Sequence, residues 1–401
     1  MGRASNIFCI VIKWYCPTNI PFILGDAWIR KHRLGGISLM FTNERVSGIQ
    51  AVILTAAAAL GTIFLDIPII AIEEGGLQGW LSILPGYSLM IIGVYAVVKL
   101  GEKYPNETVI QYAPNVVGTM IGKLFGLTLI ITFTVFAGFL VRLNSELLLL
   151  LMPETPAVAF KVLIVSLAIY SMKSGFEVFA RACQLLVPLI ILGLILVFIF
   201  SLENIELDNF LPLFEEGYLE PLGFLPNAMA LSGEAVLFMA FWYCTLNTKE
   251  EGLRAGAIGL VSMGLLLTVT VLVTIGSLGP DKVLNHNFPI FSLTRFILVL
   301  EFMQGYEGLL TIVWVSASFI KVTIFLYPAV VGASQWLNLQ DYKPLVFPFA
   351  LLVISAAYVP ETKGDVDEMI GLINLYAILP LAFFLLIMAI IEGVKTKLQN
   401  Q

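Results

Sequence analysis

Ten apolar runs long enough to cross a bilayer follow one another along this chain, at about 46–72, 79–98, 119–150, 156–172, 182–201, 224–244, 252–277, 306–332, 343–359 and 369–392. In hydrocarbon each backbone N–H and C=O must find its partner inside the protein, so runs of this kind fold as helices. With 59% hydrophobic and 12% charged residues, the expectation is an all-α integral membrane protein with ten transmembrane helices. The third run is longer than a bilayer requires, which implies tilt or an extension beyond it.

Orientation follows from lysine and arginine. With the start of the first run placed in the cytoplasm, 16 of the 22 fall in inside segments and four in outside segments, leaving Arg142 and Lys321 within the membrane. Both termini are then cytoplasmic. The acidic stretch from Glu203 to Glu220, which holds no lysine or arginine, lies outside. Five runs precede that stretch and five follow it, and an odd number per half turns the second half upside down. The domain reading is a 5+5 inverted repeat spanning 44–392, with halves at 44–205 and 222–392, and a cytoplasmic tail at 393–401. Residues 1–43 are out of character, because their moderately apolar stretch is broken by Lys13, Pro17, Asn19 and Pro21. They read as a cytoplasmic extension, interfacial or disordered, or as an upstream start with Met40 as the true one. In the long connection from Asp281 to Glu301, Phe288 to Leu293 reads as a short interfacial helix over an outer vestibule.

Two runs carry break signals in their middles, and they are the first run of each half. Gly61-Thr62-Ile63-Phe64-Leu65-Asp66-Ile67-Pro68 interrupts the first, and Leu231-Ser232-Gly233-Glu234 the sixth. Broken helices at matching positions of two halves mark the binding site of a transporter-type fold. Little else looks chemical. Cys9, Cys16, Cys183 and Cys244 form no CxxC pair, and His32 and His286 stand alone, so neither a metal site nor a disulfide framework is indicated. There is no phosphate-binding loop, nucleophile elbow or HExxH helix. No enzyme, no cofactor and no nucleic-acid partner is expected.

Taken in order, a series of short motifs resembles the B subunits of spore germinant receptors, the spore germination permeases. They begin with RVSGIQ at Arg45–Gln50, LGT at Leu60–Thr62, GWLSIL at Gly79–Leu84 and KYPNET at Lys103–Thr108. FLVRLNSE at Phe139–Glu146, LMPETP at Leu151–Pro156, SGFEVFAR at Ser174–Arg181 and LPLFEEG at Leu211–Gly217 follow. SGEAVLF at Ser232–Phe238, FIKVTIFLY at Phe319–Tyr327 and DYKPLV at Asp341–Val346 complete the series. The resemblance implies a LeuT-like fold of the amino acid–polyamine–organocation superfamily. It also implies residence in the spore inner membrane and assembly with A and C subunits into a nutrient sensor. Residues 1–43 depart from the family pattern.

Candidate site residues follow from both arguments. Gly61 and Thr62 lie where the first run should unwind and expose backbone groups to a ligand; otherwise Gly61 is a packing glycine. The resemblance places this glycine in an amino-acid pocket. Ser232, Gly233 and Glu234 form the matching break, with Glu234 either capping a half-helix or holding a ligand ammonium or a proton. Lys321, near the middle of the eighth run, either stands as a fixed cation where sodium-coupled relatives hold sodium, or forms a buried pair with Glu234 that pins helices. Thr323 and Tyr327 share a helix face, and the resemblance implies that both line the pocket. Arg142 and Glu146, four apart, read as an intrahelical ion pair. Gly138 would admit a ligand close to the third run, and Asp66 faces the outer vestibule. The two functions in view are a nutrient-sensing receptor subunit binding an amino acid, and a proton-coupled amino-acid transporter working through Glu234.

Overall fold

A computed structural model describes residues 44–60, 66–214, 217–297 and 306–399 of the chain. Residues 1–43, with the proposed extension and Met40, and Gly61 and Thr62 lie outside the described residues. Helices stand at all ten expected places. The first run is two helices, α1 (Gly48–Leu60) and α2 (Ile67–Gly75). The second is α3 (Ile83–Leu89) continued by α4 (Ile91–Lys103), and α5 (Val109–Val117) leads to the third. The third, fourth and fifth spans are α6 (Thr119–Leu151), α7 (Ala157–Ser174) and α8 (Phe176–Ser201). The sixth and seventh are α9 (Leu225–Trp242) and α10 (Gly252–Leu278). In the connection that follows lie α11 (Pro280–Asn285) and α12 (Pro289–Ile297), the second overlapping the short helix expected there. The eighth and ninth spans are α13 (Tyr306–Trp336) and α14 (Val346–Ala356). The tenth is α15 (Lys363–Ile373), one π-helical turn at Asn374–Ile378, and α16 (Leu379–Gln399). Among the described residues, eight helical stretches have the length and apolarity to cross a membrane, and α1 and the ninth span are shorter apolar helices.

One part of the expectation is corrected. The sixth span does not unwind at Leu231–Glu234, because α9 runs unbroken from Leu225 to Trp242. The Ser232 hydroxyl donates back to the carbonyls of Ala228 (3.0 Å) and Met229 (2.9 Å), a bond a helix tolerates. Gly233 costs a helix only about 1 kcal/mol relative to alanine, and its face packs against Ala382 and Ile378 of the tenth span. The first run differs because Pro68 stands in the first turn of α2, where proline is favoured, two residues after Asp66 at the N-cap. Proline alone does not divide a helix here, since Pro188 and Pro328 sit inside α8 and α13.

Small residues bring α1 into the centre of the bundle. Its last turns read Thr-Ala-Ala-Ala-Ala-Leu, all buried, and it packs against α8, α9 and α10. Gly259 of α10 approaches so closely that a Cβ there would lie 2.7 Å from the Thr55 Cβ. α13 runs along α6, where the Phe325 ring meets Phe133 at 5.2 Å and Phe136 at 4.5 Å. In the predicted orientation Glu44, Met172 and Asn247 mark the inner end, and Asp66, Glu146 and Lys363 the outer.

Candidate functional site

α1 is described as far as Leu60, and the carbonyls of its last turn lie at the negative end of its dipole. Two side chains from other spans meet them. Lys321 Nζ of α13 donates to the Ala58 carbonyl at 2.7 Å, and the Tyr87 hydroxyl of α3 donates to the Ala59 carbonyl at 3.1 Å. The same ammonium forms an ion pair with Glu234 Oε2 of α9, and it lies 5.2 Å from the centre of the Phe325 ring. Both charged side chains are sealed from solvent, at 2% and 0% exposure. The Asn374 side chain approaches the Glu234 carboxyl from the π-helical turn of the tenth span. A buried ammonium needs a counter-charge and hydrogen-bond acceptors, and here it has a carboxylate, a helix-terminal carbonyl and a ring face.

The outer end of the break is closed by a second charged group. Lys363 at the start of α15 pairs with Asp66 (3.1 Å) and with Asp367 one turn on (2.6 Å), above the Phe288 ring at 4.7 Å. Asp66, read as facing an outer vestibule, is buried in this contact. Arg142 and Glu146 form the intrahelical pair expected of them, at 2.8 Å. Arg142 also donates to the Glu361 carbonyl at 2.9 Å, which fastens α6 to the turn before α15.

Other candidates are placed differently. Gly138 does not face a ligand: a Cβ there would lie 2.4 Å from the Ala356 Cβ and 2.8 Å from the Val353 carbonyl oxygen, so it is the contact that lets α6 and α14 touch. Thr323 spends its hydroxyl on the Phe319 carbonyl of its own helix, at 2.7 Å. Tyr327 points to an inner cluster, where its hydroxyl lies 3.1 Å from that of Tyr342, which donates to the Met172 carbonyl at 2.8 Å. Since Tyr342 has one proton to give, Tyr327 is the donor of the pair. Glu44 belongs to the same cluster, and burial pushes its carboxyl above the usual carboxylate range, against the hydrogen bond from the Phe176 N–H. Ala58, Tyr87 and Asn374 were not among the residues singled out by sequence. Asn374 alone carried a signal, a side-chain amide within the apolar Ile-Gly-Leu-Ile-Asn-Leu-Tyr-Ala-Ile. Next to the pair, Ala57, Leu60, Val187, Ile190, Ala317 and Ile320 line a small apolar crevice between α1, α8 and α13.

Residues 45–366 match the family model described as "Spore germination protein". The chain belongs to that family. It is 28% identical over 312 residues to "Spore germination protein KB" of Bacillus subtilis (strain 168), covering 76% of this chain and 83% of the relative. It is 25% identical over 355 residues to "Spore germination protein YndE" of the same organism, covering 86% and 96%. Among solved structures it resembles the substrate-bound outward-open state of a Na+-coupled sialic acid symporter, with a TM-score of 0.63, 15% identity and 87% and 83% of the two chains covered. It also resembles MhsT in complex with L-phenylalanine, with a TM-score of 0.62, 13% identity and 86% and 88% covered. The fold of this multi-pass membrane protein is therefore the all-α LeuT-like one.

Proposed function

We propose that the chain is the nutrient-sensing B subunit of a spore germinant receptor, that it sits in the spore inner membrane with both termini cytoplasmic, and that it acts with A and C subunits. The ligand is a small nutrient, an amino acid by preference. The observation that carries this is the Lys321–Glu234 pair at the open end of α1. A carboxylate, helix-terminal carbonyls and an aromatic face are the groups that hold an ammonium, and here they hold one belonging to the chain itself. A ligand bringing its own ammonium has the chemistry to replace it. That exchange would move α1 relative to α9 and α13 and so report occupancy to partner subunits.

The transporter reading keeps one observation in its favour, the likeness to solved transporters across most of the chain. One experiment separates the two. Purified protein in proteoliposomes is offered labelled amino acids, and binding and uptake are measured side by side. Saturable binding without accumulation is the expected result. Accumulation driven by a proton gradient would replace the sensor with the transporter, and absence of any binding would sink both.

A further inference from the structure

The connection between the two halves, from Leu202 to Phe224, stands outside the membrane in the predicted orientation, and its described residues are fastened to the bundle. The Glu206 N–H donates to the Gly276 carbonyl of α10 at 2.9 Å, and the Asn209 side-chain amide donates to the same carbonyl at 2.7 Å. Gln78, itself buried, gives both ends of its amide to the connection. Its Nε2 donates to the Pro212 carbonyl at 3.3 Å, with the Phe210 carbonyl at 3.5 Å, and its Oε1 accepts the Phe214 N–H at 3.2 Å. Further on, the Ser82 hydroxyl donates to the Pro221 carbonyl at 2.5 Å. A segment whose backbone is bonded to buried neighbours in this way presents a fixed surface.

Its apolar residues divide into two sets. Pro221 and Phe224 are buried, and Phe210 lies against Gly276, where a Cβ would stand 3.3 Å from its ring. Leu207, Tyr218 and Leu219 turn outward at 77%, 85% and 76% exposure, and Leu211 and Leu213 are exposed as well. Tyr218 is held beside the Phe214 ring, with 5.4 Å between centres. Among these side chains stand the exposed carboxylates Glu203, Glu206 and Asp208. The end of α2 adds Glu73 and Glu74, also exposed, where it touches the connection so closely that a Cβ on Gly223 would lie 2.0 Å from the Glu74 carbonyl oxygen. No lysine or arginine occurs from Ala182 to Thr248.

The charge decides what such a surface fits. A segment that lies in a lipid interface carries lysine and arginine on its polar face, whereas these carboxylates would be repelled by negative headgroups. A second copy meeting the first about a two-fold axis would set the same face against itself, carboxylate against carboxylate. A protein that carries cations among apolar residues meets both needs, pairing the carboxylates and covering the leucines and the tyrosine. The fixed backbone spares that contact the cost of ordering a loop.

We propose that the outward face of the Leu202–Phe224 connection is a docking surface for another protein on the outer side of the membrane, one that presents lysine or arginine among apolar residues. Its role rests on reading the chain as one subunit of a receptor with this side outward.

The test is photo-crosslinking of the full-length chain in intact spores. The probe p-benzoyl-phenylalanine replaces Leu207, Tyr218 or Leu219 one at a time, and mass spectrometry identifies each adduct. The same probe at Ile131, exposed on the third span, supplies the control and should give lipid adducts. At the three outer positions a protein adduct is expected, its linked peptide holding lysine or arginine among apolar residues. Glu206→Lys combined with Asp208→Lys should lower its yield at least fivefold, and Glu206→Gln combined with Asp208→Asn should lower it less. Both side chains are exposed, so immunoblots should show the same amount of chain in the membrane. Lipid adducts alone, adducts to a second copy, or a yield indifferent to charge reversal would overturn the docking surface. If the purified chain still binds an amino acid in that case, the sensor reading stands without this surface. A basic protein captured here by a chain that binds no amino acid would keep the surface and sink the sensor.

Discussion

The first and sixth spans hold equivalent places in the two halves, and both carry a glycine beside one hydroxyl residue, Gly61-Thr62 and Ser232-Gly233, yet only the first is two helices. The difference lies in what each can do with its carbonyls. At Ser232–Glu234 the helical ladder continues, and the serine merely adds a second donor to carbonyls already in use. In the last turn of α1, Ala58 and Ala59 receive donors from α13 and α3. Glu234 therefore does not cap a break in its own helix. It holds the lysine that caps the break in the other one. A break in one span and a charge in its counterpart form one device shared between them.

The largest effect should come from dividing that device. Lys321→Ala or Glu234→Ala leaves the partner charge buried and alone, a loss of about 3–5 kcal/mol of folding stability. Replacing both at once, as Lys321→Met with Glu234→Leu, should cost much less than the two single changes added together. Denaturation of purified protein in detergent gives all of these values, and their sum without coupling would mean that the pair does not act as a unit.

A smaller effect is expected at Tyr87. Tyr87→Phe removes the hydrogen bond to the Ala59 carbonyl, at a cost of about 0.5–1.5 kcal/mol. Tyr327→Phe makes a useful contrast, because its hydroxyl serves the inner cluster and not the end of α1. If Tyr87→Phe were as stable as the parent chain, the carbonyls of the first span would not need capping from outside, and the comparison would weaken.

Gly233 tests the other side. Its space accepts a methyl group, since a Cβ would meet Ala382, Ile378 and Met90 at 3.5–3.6 Å, ordinary van der Waals contact. Gly233→Ala should therefore gain up to about 1 kcal/mol from helix propensity. A loss of stability, or of ligand response with stability kept, would restore an unwound sixth span in some working state.

How much of this was legible follows from the kind of signal each residue gave. The ten helices were readable because a bilayer demands long apolar runs and leaves no alternative fold for them. The Lys321–Glu234 pair was readable from the cost of leaving either charge alone in hydrocarbon. The sixth-span break was misread because glycine and serine permit a break without compelling one. Gly138 was misread because a glycine that admits a ligand and one that admits a neighbouring helix look the same until the neighbour is known. Ala58 and Tyr87 could not be found at all. Backbone carbonyls leave no mark in a sequence, and a buried tyrosine is ordinary in a core.

The smallest expected effect is that of sodium. The acceptors at the end of α1 are those that would attract a small cation, and Lys321 already delivers a tethered positive charge to Ala58 at 2.7 Å. A mobile cation approaching the same carbonyls would meet repulsion from the ammonium and a carboxylate already paired. Amino-acid affinity in sodium and in choline should therefore agree within about twofold, a difference near 0.4 kcal/mol. A tenfold gain with sodium, about 1.4 kcal/mol, would show that a cation still reaches the break. Lys321 would then be a pin between helices, with no share in the charge that the first span requires.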